Sequence, residues 1–152
     1  MDEKHFYFMR EALKEAYKAF FKGEVPVGTV AVLDDNIIAK AHNNVEKSKL
    51  FFSHAEFLLL QKINQYNKNY KFNNIIIYTT LEPCIMCTGA LIQSRIKTVY
   101  YGASNIKSGF LNQLNLLKRD SNFNINISFH SGLLAKESEF LLKSFFLNLR
   151  KK

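Results

Sequence analysis

The sequence predicts an α/β fold, a three-layer α/β/α sandwich of helix, sheet and helix. Segments with apolar residues at helical spacing alternate with short β-branched segments through the middle of the chain. Such alternation predicts crossover connections that place helices on both faces of one sheet. The first two predicted strands are joined only by a polar turn, so they form a hairpin, and the sheet is expected to be mixed.

The individual elements follow from spacing and stop signals. Residues 5–22 form the first predicted helix, and Gly23 ends it. A polar turn at residues 34–36 separates the first two strands. The remaining helices are predicted at residues 54–66, 85–94 and 135–149, and the strands at residues 27–33, 37–41, 75–79, 98–101 and 125–129.

Length and composition indicate a single domain spanning residues 1–152. The chain is 47% hydrophobic and poor in Gly and Pro, which argues against disorder. We expect no membrane association, because no apolar run approaches the roughly 20 residues that span a bilayer. Residues 2–5 are polar and begin with two acidic side chains, unlike a secretory signal. Two cysteines cannot build the disulfide framework of a small secreted protein, so a reducing, cytoplasmic location is expected.

The net charge of +8 has two interpretations. Lys and Arg attract the phosphates of a nucleic acid and release its counterions. However, most of the basic residues are Lys, and Asn, Ile and Phe are also abundant. A+T-rich coding produces that mixture whatever the function. The charge alone therefore leaves both RNA binding and a compositional bias open.

Three residues have the pattern of a catalytic zinc site. His54 opens one predicted helix, and Cys84 and Cys87 open another within Pro-Cys-Ile-Met-Cys. Residues i and i+3 share a helix face, so both sulfurs can reach one ion, and the helix N-terminus favours thiolates. Catalytic zinc takes three protein ligands and leaves a fourth position for water. The sequence has no third cysteine to close the site, so it predicts one catalytic Zn²⁺ per chain.

Glu56 lies two residues beyond His54, where a carboxylate can exchange protons with a zinc-activated water without binding the metal. Taken alone, Cys84-x-x-Cys87 is also typical of a redox dithiol, although no thioredoxin-like segment surrounds it here. His-x-Glu together with Pro-Cys-x-x-Cys matches the known signature of zinc-dependent nucleobase deaminases, adenine deaminases among them.

Longer segments resemble the bacterial tRNA-specific adenosine deaminases, from about residue 5 to residue 152. The segments that carry the resemblance are Glu24-Val25-Pro26-Val27-Gly28, residues 78–96 around Leu81-Glu82-Pro83-Cys84, Tyr101-Gly102-Ala103, and residues 131–146 followed by basic residues. The zinc motif alone is shared with cytidine, guanine and pterin-type deaminases, whereas the combined segments favour the tRNA enzymes.

The resemblance implies a five-stranded, cytidine-deaminase-like sheet, a homodimer, and a tRNA anticodon stem-loop whose adenosine is flipped into the pocket. It assigns the zinc ligands to His54, Cys84 and Cys87, and the proton shuttle to Glu56. Its substrate-binding Asn falls on Asn43, whose amide offers both a donor and an acceptor. The alternative for Asn43 is an ordinary turn residue in an Asn-rich chain.

Two segments depart from the family pattern. Leu50-Phe51-Phe52-Ser53 replaces the usual Asp-Pro-Thr-Ala, so two aromatic rings could stack on bases, or pack in the core or at a dimer interface. Ser104-Asn105 replaces the usual Arg-Asp. Asn105 is expected near the sugar of the nucleotide before the target, where it either reads the 2′-OH or merely fills a turn.

The C-terminal helix supplies the expected RNA surface. Phe145 and Arg150 are predicted to bind substrate, and aromatic and basic neighbours extend the surface: Lys143, Phe146, Lys151 and Lys152. The predicted function is therefore hydrolytic deamination of adenosine to inosine at the tRNA wobble position. The alternatives are a deaminase of a free purine base or nucleoside such as guanine, and an inactive zinc protein that binds RNA. Glu56 argues against the inactive protein, because a structural zinc does not need it.

Overall fold

Six helices and five strands follow one another in the part of the chain that the computed structural model describes, which is residues 2–66, 68, 72–120 and 122–151. The helices are α1 (Glu3–Phe21), α2 (Val45–Ser48), α3 (Ala55–Tyr66), α4 (Ile85–Gln93), α5 (Leu111–Lys118) and α6 (Ala135–Arg150). The strands are β1 (Gly28–Leu33), β2 (Asn36–His42), β3 (Ile76–Leu81), β4 (Thr98–Ala103) and β5 (Ser128–His130). Across these described ranges, every helix is too short or too polar to cross a membrane.

The strands form one mixed sheet in the order β2-β1-β3-β4-β5, which confirms the predicted five-stranded arrangement. β1 pairs antiparallel with both β2 and β3, whereas β3–β4 and β4–β5 are parallel. Asp34 and Asp35 connect β1 and β2 with positive φ angles of 50° and 61°. Two such residues make the tight hairpin turn whose twist matches that of the strands.

Helices cover both faces of the sheet, which confirms the three-layer sandwich. Because side chains alternate along a strand, Ile77 and Val99 face one core and Tyr78 faces the other. The first core receives Leu59 of α3, Leu91 of α4 and Leu114 of α5. The second core receives the α1 residues Phe8, Met9 and Ala12, together with Leu133 just before α6.

Three elements differ from the sequence-based expectation. The sequence predicts the last strand at residues 125–129, but only Ser128–His130 pairs with β4, because Ile127 packs into the core before the ladder begins. Helices α2 and α5 are absent from the prediction. α2 is a single turn, and α5 buries Leu114 alone, so neither has the long apolar periodicity that identifies a helix in sequence.

The parallel pairing of β3 and β4 sets the position of the site. Leu81 lies beside Ala103 at the carboxyl ends of these strands, so the segments that follow them emerge next to each other. In open α/β sheets, ligands bind at this edge. The N-terminus of α4 and the loop between β4 and α5 meet there.

Candidate active site

A cavity of about 790 Å³ opens at the carboxyl ends of β3 and β4. Its lining comes from the segment before β1, from Asn43 after β2, from the start of α3, from the segment after β3, from the loop after β4, and from α6. The volume is within the range of small-molecule sites and exceeds what one purine base needs. The cavity contains most of the residues that the sequence selected.

His54, Cys84 and Cys87 come together, as the sequence predicted: His54 and Cys84 line the cavity, and Cys87 is buried beside them. His54 lies immediately before α3, while Cys84 caps the N-terminus of α4 and Cys87 lies in its first turn. Their ligand atoms all lie within 4.8 Å of one another. Among the His, Cys, Asp and Glu side chains of the described residues, these three form the cluster that could hold a metal ion.

The distances among these atoms fit a tetrahedral zinc site. Nδ1 of His54 lies 3.5 Å from the Cys84 sulfur and 3.6 Å from the Cys87 sulfur. Zinc–ligand bonds of about 2.0–2.1 Å to nitrogen and about 2.3 Å to sulfur, at a tetrahedral angle, separate the two ligand atoms by roughly 3.6 Å. One imidazole and two thiol groups are also the ligand types that zinc prefers.

The two cysteines differ in acidity. A hydrogen bond from Cys87, with a further one from His54, outweighs the effect of burial and lowers the pKa of the Cys84 thiol to about 4. The same bond to Cys84, together with burial, raises the pKa of Cys87. The hydrogen bond to Cys84 raises the pKa of His54. A divalent cation would displace the protons that these groups share, because thiolates and a neutral imidazole are the metal-binding forms.

Glu56 is held beside the ligand group without belonging to it. Its side chain is buried in the first turn of α3 and lines the cavity. Thr79 of β3 donates its hydroxyl hydrogen to Oε1 of Glu56 at 3.2 Å. Burial raises the pKa of Glu56 above its usual range, although hydrogen bonds from Cys87 and Thr79 oppose this effect. A carboxyl group with a raised pKa is suited to accepting and returning a proton.

Asn43 lines the cavity on the side of β2, and it is almost fully buried. Its amide nitrogen donates to the Val25 carbonyl at 3.3 Å, and its amide oxygen accepts from the Val45 N–H at 3.4 Å. An Asn amide has two N–H groups and two lone pairs. One donor and one acceptor therefore stay free for a ligand, while the others hold the side chain in place.

The loop after β4 forms the opposite wall. Asn105 lines the cavity, and its amide oxygen accepts from the Ser108 N–H at 3.1 Å, which closes a turn. Ile106, at the tip of the turn, is 99% exposed. Asn105 thus fills a turn and faces the cavity at the same time, so the two interpretations of this residue are compatible.

Helix α6 provides the mouth of the cavity. Lys143, Phe146 and Arg150 line it, as the sequence suggested for the basic and aromatic end of the chain. Phe145, also expected at the substrate, instead packs edge-on against Phe20 of α1 with ring centroids 6.3 Å apart. The aromatic ring at the mouth is therefore that of Phe146. Lys152 lies outside the described residues.

The aromatic loop before His54 lies apart from the described cavity lining. Phe51 is 77% exposed, and its ring contacts Phe52 edge-on. Phe52 in turn packs against Phe57 of α3, with ring centroids 5.6 Å apart. Phe52 therefore has a packing role, whereas the ring of Phe51 stays available for an RNA base or a second subunit.

Several residues of the site were not identified from the sequence. Thr79 orients Glu56, and Glu82 holds the wall loop through two backbone hydrogen bonds. Glu24 is buried, and its carboxylate accepts the N–H groups of Glu46 and Lys47, both at 2.9 Å, at the start of α2. Glu24 and Glu82 both lie in segments that carry the family resemblance. A carboxylate inside such a segment indicates a residue that holds a neighbouring loop or helix start through its backbone N–H groups.

The comparisons with known proteins agree with this geometry. The family model described as MafB19-like deaminase matches residues 3–150. The tRNA-specific adenosine deaminase of Bacillus subtilis (strain 168) is 41% identical over 145 residues, covering 95% of this chain and 90% of its own. The protein of the same name from Rickettsia felis is 40% identical over 149 residues, covering 93% and 100%.

Solved structures show the same fold. A chain from a study of A-to-I editing by tRNA:A34 deaminases at the wobble position of transfer RNA superposes with a TM-score of 0.83 at 32% identity, covering 90% of this chain and 99% of that one. A guanine deaminase from Nitrosomonas europaea superposes with a TM-score of 0.79, covering 92% and 83%, but at 19% identity it supports the fold alone.

Proposed function

Because the chain belongs to the family of tRNA-specific adenosine deaminases, we propose that it hydrolyses the wobble adenosine of a tRNA to inosine and releases ammonia. One observation carries this proposal. The group of His54, Cys84 and Cys87 lies beside a buried Glu56 in a cavity whose mouth bears Lys143 and Arg150. The positive charge of Lys143 and Arg150 favours a polyanionic substrate. The metal-binding group with Glu56 beside it favours hydrolytic deamination.

We propose one Zn²⁺ per chain, held by Nδ1 of His54 and the sulfurs of Cys84 and Cys87. The interatomic distances and the ligand types support this assignment. When bound, zinc supplies a Lewis acid that makes a water molecule nucleophilic near neutral pH. The positive ends of α3 and α4 favour the anionic charge of the thiolates and of the carboxylate next to them.

Glu56 would carry the protons of the reaction. Its carboxylate accepts the proton of the attacking water and delivers it to N1 of adenine, which makes C6 electrophilic. A carbon–oxygen bond then forms at C6. Glu56 takes the remaining proton of the new C6 hydroxyl group and passes it to the exocyclic amino group, so the C6–N bond breaks as the C6 carbonyl forms, and ammonia leaves. The hydrogen bond from Thr79 keeps Oε1 in one orientation throughout these transfers.

The walls of the cavity would hold a nucleotide that has flipped out of the base stack of the RNA. Deaminases extrude the target base into a pocket, and the remaining loop stays outside. The free donor and acceptor of Asn43 suit the base or ribose, and Asn105 lies on the opposite wall. At the mouth, Phe146 offers a stacking surface, while Lys143 and Arg150 offer positive charge to the phosphates.

We propose that two copies form a homodimer through the face of α3 and α4. Support comes from an open groove between these helices, lined by Phe57, Leu60, Phe72 and Ala90 among others. Exposed apolar residues, Phe51 and Ile85, flank this face. Apolar patches of this kind mark interaction sites. Sedimentation equilibrium gives the mass, and a monomer at micromolar concentration would contradict the proposal.

We propose a single domain over residues 1–152 and a cytoplasmic location. One sheet carries both cores, which supports the single domain. Cys84 and Cys87 are free thiols whose function as ligands requires the reduced state, which supports a reducing compartment.

The decisive experiment compares ammonia release from an adenosine-containing anticodon stem-loop with release from free guanine and from cytidine. We expect turnover only with the stem-loop, and inosine at its wobble position. Turnover of guanine with an unchanged stem-loop would instead indicate a purine-base deaminase. Binding of the stem-loop without ammonia release from any substrate would indicate an inactive RNA-binding protein.

A further inference from the structure

Glu82 connects the metal-binding segment to the wall of the cavity. It follows β3 directly and lies two residues before Cys84. Its Oε1 accepts the N–H of Asn105 at 3.1 Å, and its Oε2 accepts the N–H of Leu111 at 3.3 Å. Asn105 begins the turn that forms the wall, and Leu111 is the first residue of α5. One carboxylate therefore fixes both ends of the wall loop.

Gly109 makes room for this carboxylate. A Cβ atom at Gly109 would lie 2.2 Å from Oε2 of Glu82 and 2.5 Å from the carbonyl oxygen of Asn105. Both distances are far below van der Waals contact. The backbone of Gly109 also forms an antiparallel bridge with Cys84, and its N–H donates to the Asn105 carbonyl at 2.9 Å. The wall loop therefore lies directly against a ligand residue of the metal site.

We propose that Glu82 is a positioning residue that sets the distance between the wall at Asn105 and the reaction centre, with Gly109 as the gap that admits its carboxylate. The inference rests on the proposed function for its kinetic consequence, while its structural content is independent of the substrate. Glu56 is held separately by Thr79, so the wall can shift without moving the proton acceptor.

This separation predicts a specific kinetic signature. In Glu82→Ala both hydrogen bonds to the wall are removed, so KM for the stem-loop should rise about tenfold, which corresponds to about 1.4 kcal/mol of binding free energy. The kcat changes less, because Glu56 keeps its hydrogen bond from Thr79. A variant that merely folds poorly lowers the active fraction and hence the apparent kcat, but it leaves KM unchanged.

Two further variants separate positioning from direct contact with the substrate. The Gln side chain of Glu82→Gln has one amide oxygen, which can accept one of the two N–H groups of Asn105 and Leu111, while its NH₂ group faces the other. Its KM should therefore lie between that of the wild-type protein and that of Glu82→Ala. Gly109→Ala leaves the carboxylate in the chain but forces it away, so it should raise KM as Glu82→Ala does.

The experiment combines amide hydrogen exchange with steady-state kinetics on the zinc-loaded protein. The amides of Asn105 and Leu111 should exchange at least about tenfold faster in Glu82→Ala, whereas that of Thr88 in α4 should not change. Glu137→Ala, which removes an exposed carboxylate on α6, is the matched control and should affect neither exchange nor KM.

Unchanged exchange at Asn105 and Leu111 would overturn the proposal, and so would an unchanged KM in Glu82→Ala. A wild-type protein that releases no ammonia from the stem-loop would instead refute the proposed function. In that case the exchange rates alone would still decide whether Glu82 holds the wall.

Discussion

Thr79, in the central part of the sheet, donates its hydroxyl hydrogen to Oε1 of Glu56 across 3.2 Å. Both residues are almost fully buried, so water does not compete for this bond. The hydroxyl of Thr79 also lies 3.3 Å from the Leu81 carbonyl, which gives it a second possible acceptor at the end of β3. The strand thereby fixes the carboxylate that α3 brings to the cavity.

Replacement of Thr79 by Val should lower kcat about tenfold, because removal of a hydrogen bond to a charged group costs about 1.5–3 kcal/mol and leaves the Glu56 carboxylate free to rotate. Zinc content and KM should change little. Thr79→Ser keeps the hydroxyl and should retain most of the activity. Equal loss of kcat in the Val and Ser variants would mean that packing, not the hydrogen bond, explains the effect.

Mutations should distinguish the role of the metal ligands from that of the proton carrier Glu56. Glu56→Ala should keep about one zinc per chain and lose deamination by a factor of about 10² or more, the usual contribution of a general base. Cys87→Ala should lose both metal and activity. Elemental analysis of the purified variants gives the zinc content. A metal-free Glu56→Ala protein would make Glu56 a ligand and contradict its assignment.

Much of this site could be predicted from the sequence because its chemistry depends on short local motifs. The spacing of Cys84 and Cys87 is fixed by one helical turn, and the positions of His54 and Glu56 by another. The structure confirms that these two helix starts meet. What could not be predicted are contacts made across the fold, such as those of Thr79 with Glu56 and of Glu82 with Leu111. Nothing in the local pattern specifies which loop a carboxylate will reach.

The aromatic end of the chain illustrates the same limit. Phe145 and Phe146 are neighbours in the sequence and equally apolar, yet successive residues on a helix point in different directions. Phe145 packs on Phe20, and Phe146 lines the cavity. Helical phase alone does not tell which face meets RNA, because that depends on how α6 packs on α1.

The basic residues at the end of the sequence should account for part of the salt dependence of RNA binding. Replacing Arg150, Lys151 and Lys152 by Ala should weaken stem-loop binding and flatten the plot of log affinity against log salt. Each phosphate that is no longer neutralised should reduce the slope by up to about 0.7. Fluorescence anisotropy at several salt concentrations measures this. Lys136→Ala, an α6 residue away from the cavity, should leave the slope unchanged.

If the triple variant keeps the wild-type affinity and slope, the charge of the chain is compositional and the RNA footprint lies elsewhere. A separate Lys143→Ala variant then tests a further basic residue that lines the cavity. Circular dichroism before and after heating confirms that each variant still folds.

The last prediction concerns Asn105, where the family typically has Asp. Its amide oxygen already accepts from the Ser108 N–H, so its remaining groups are one lone pair and two donors. Asn105→Asp should keep the turn, because one carboxylate oxygen replaces the amide oxygen. The second oxygen then presents a full negative charge to the cavity. A carboxylate accepts strongly from a ribose 2′-OH, and it repels the nearby phosphate when that hydroxyl is missing. The Asp variant should therefore favour RNA over DNA more strongly than the wild-type protein does.

The measurement is the ratio of kcat/KM values for matched RNA and DNA hairpins, with Ser108→Ala as a control because its backbone N–H, which closes the turn, is retained. An unchanged or smaller ratio in Asn105→Asp would show that Asn105 only closes the turn and does not read the sugar.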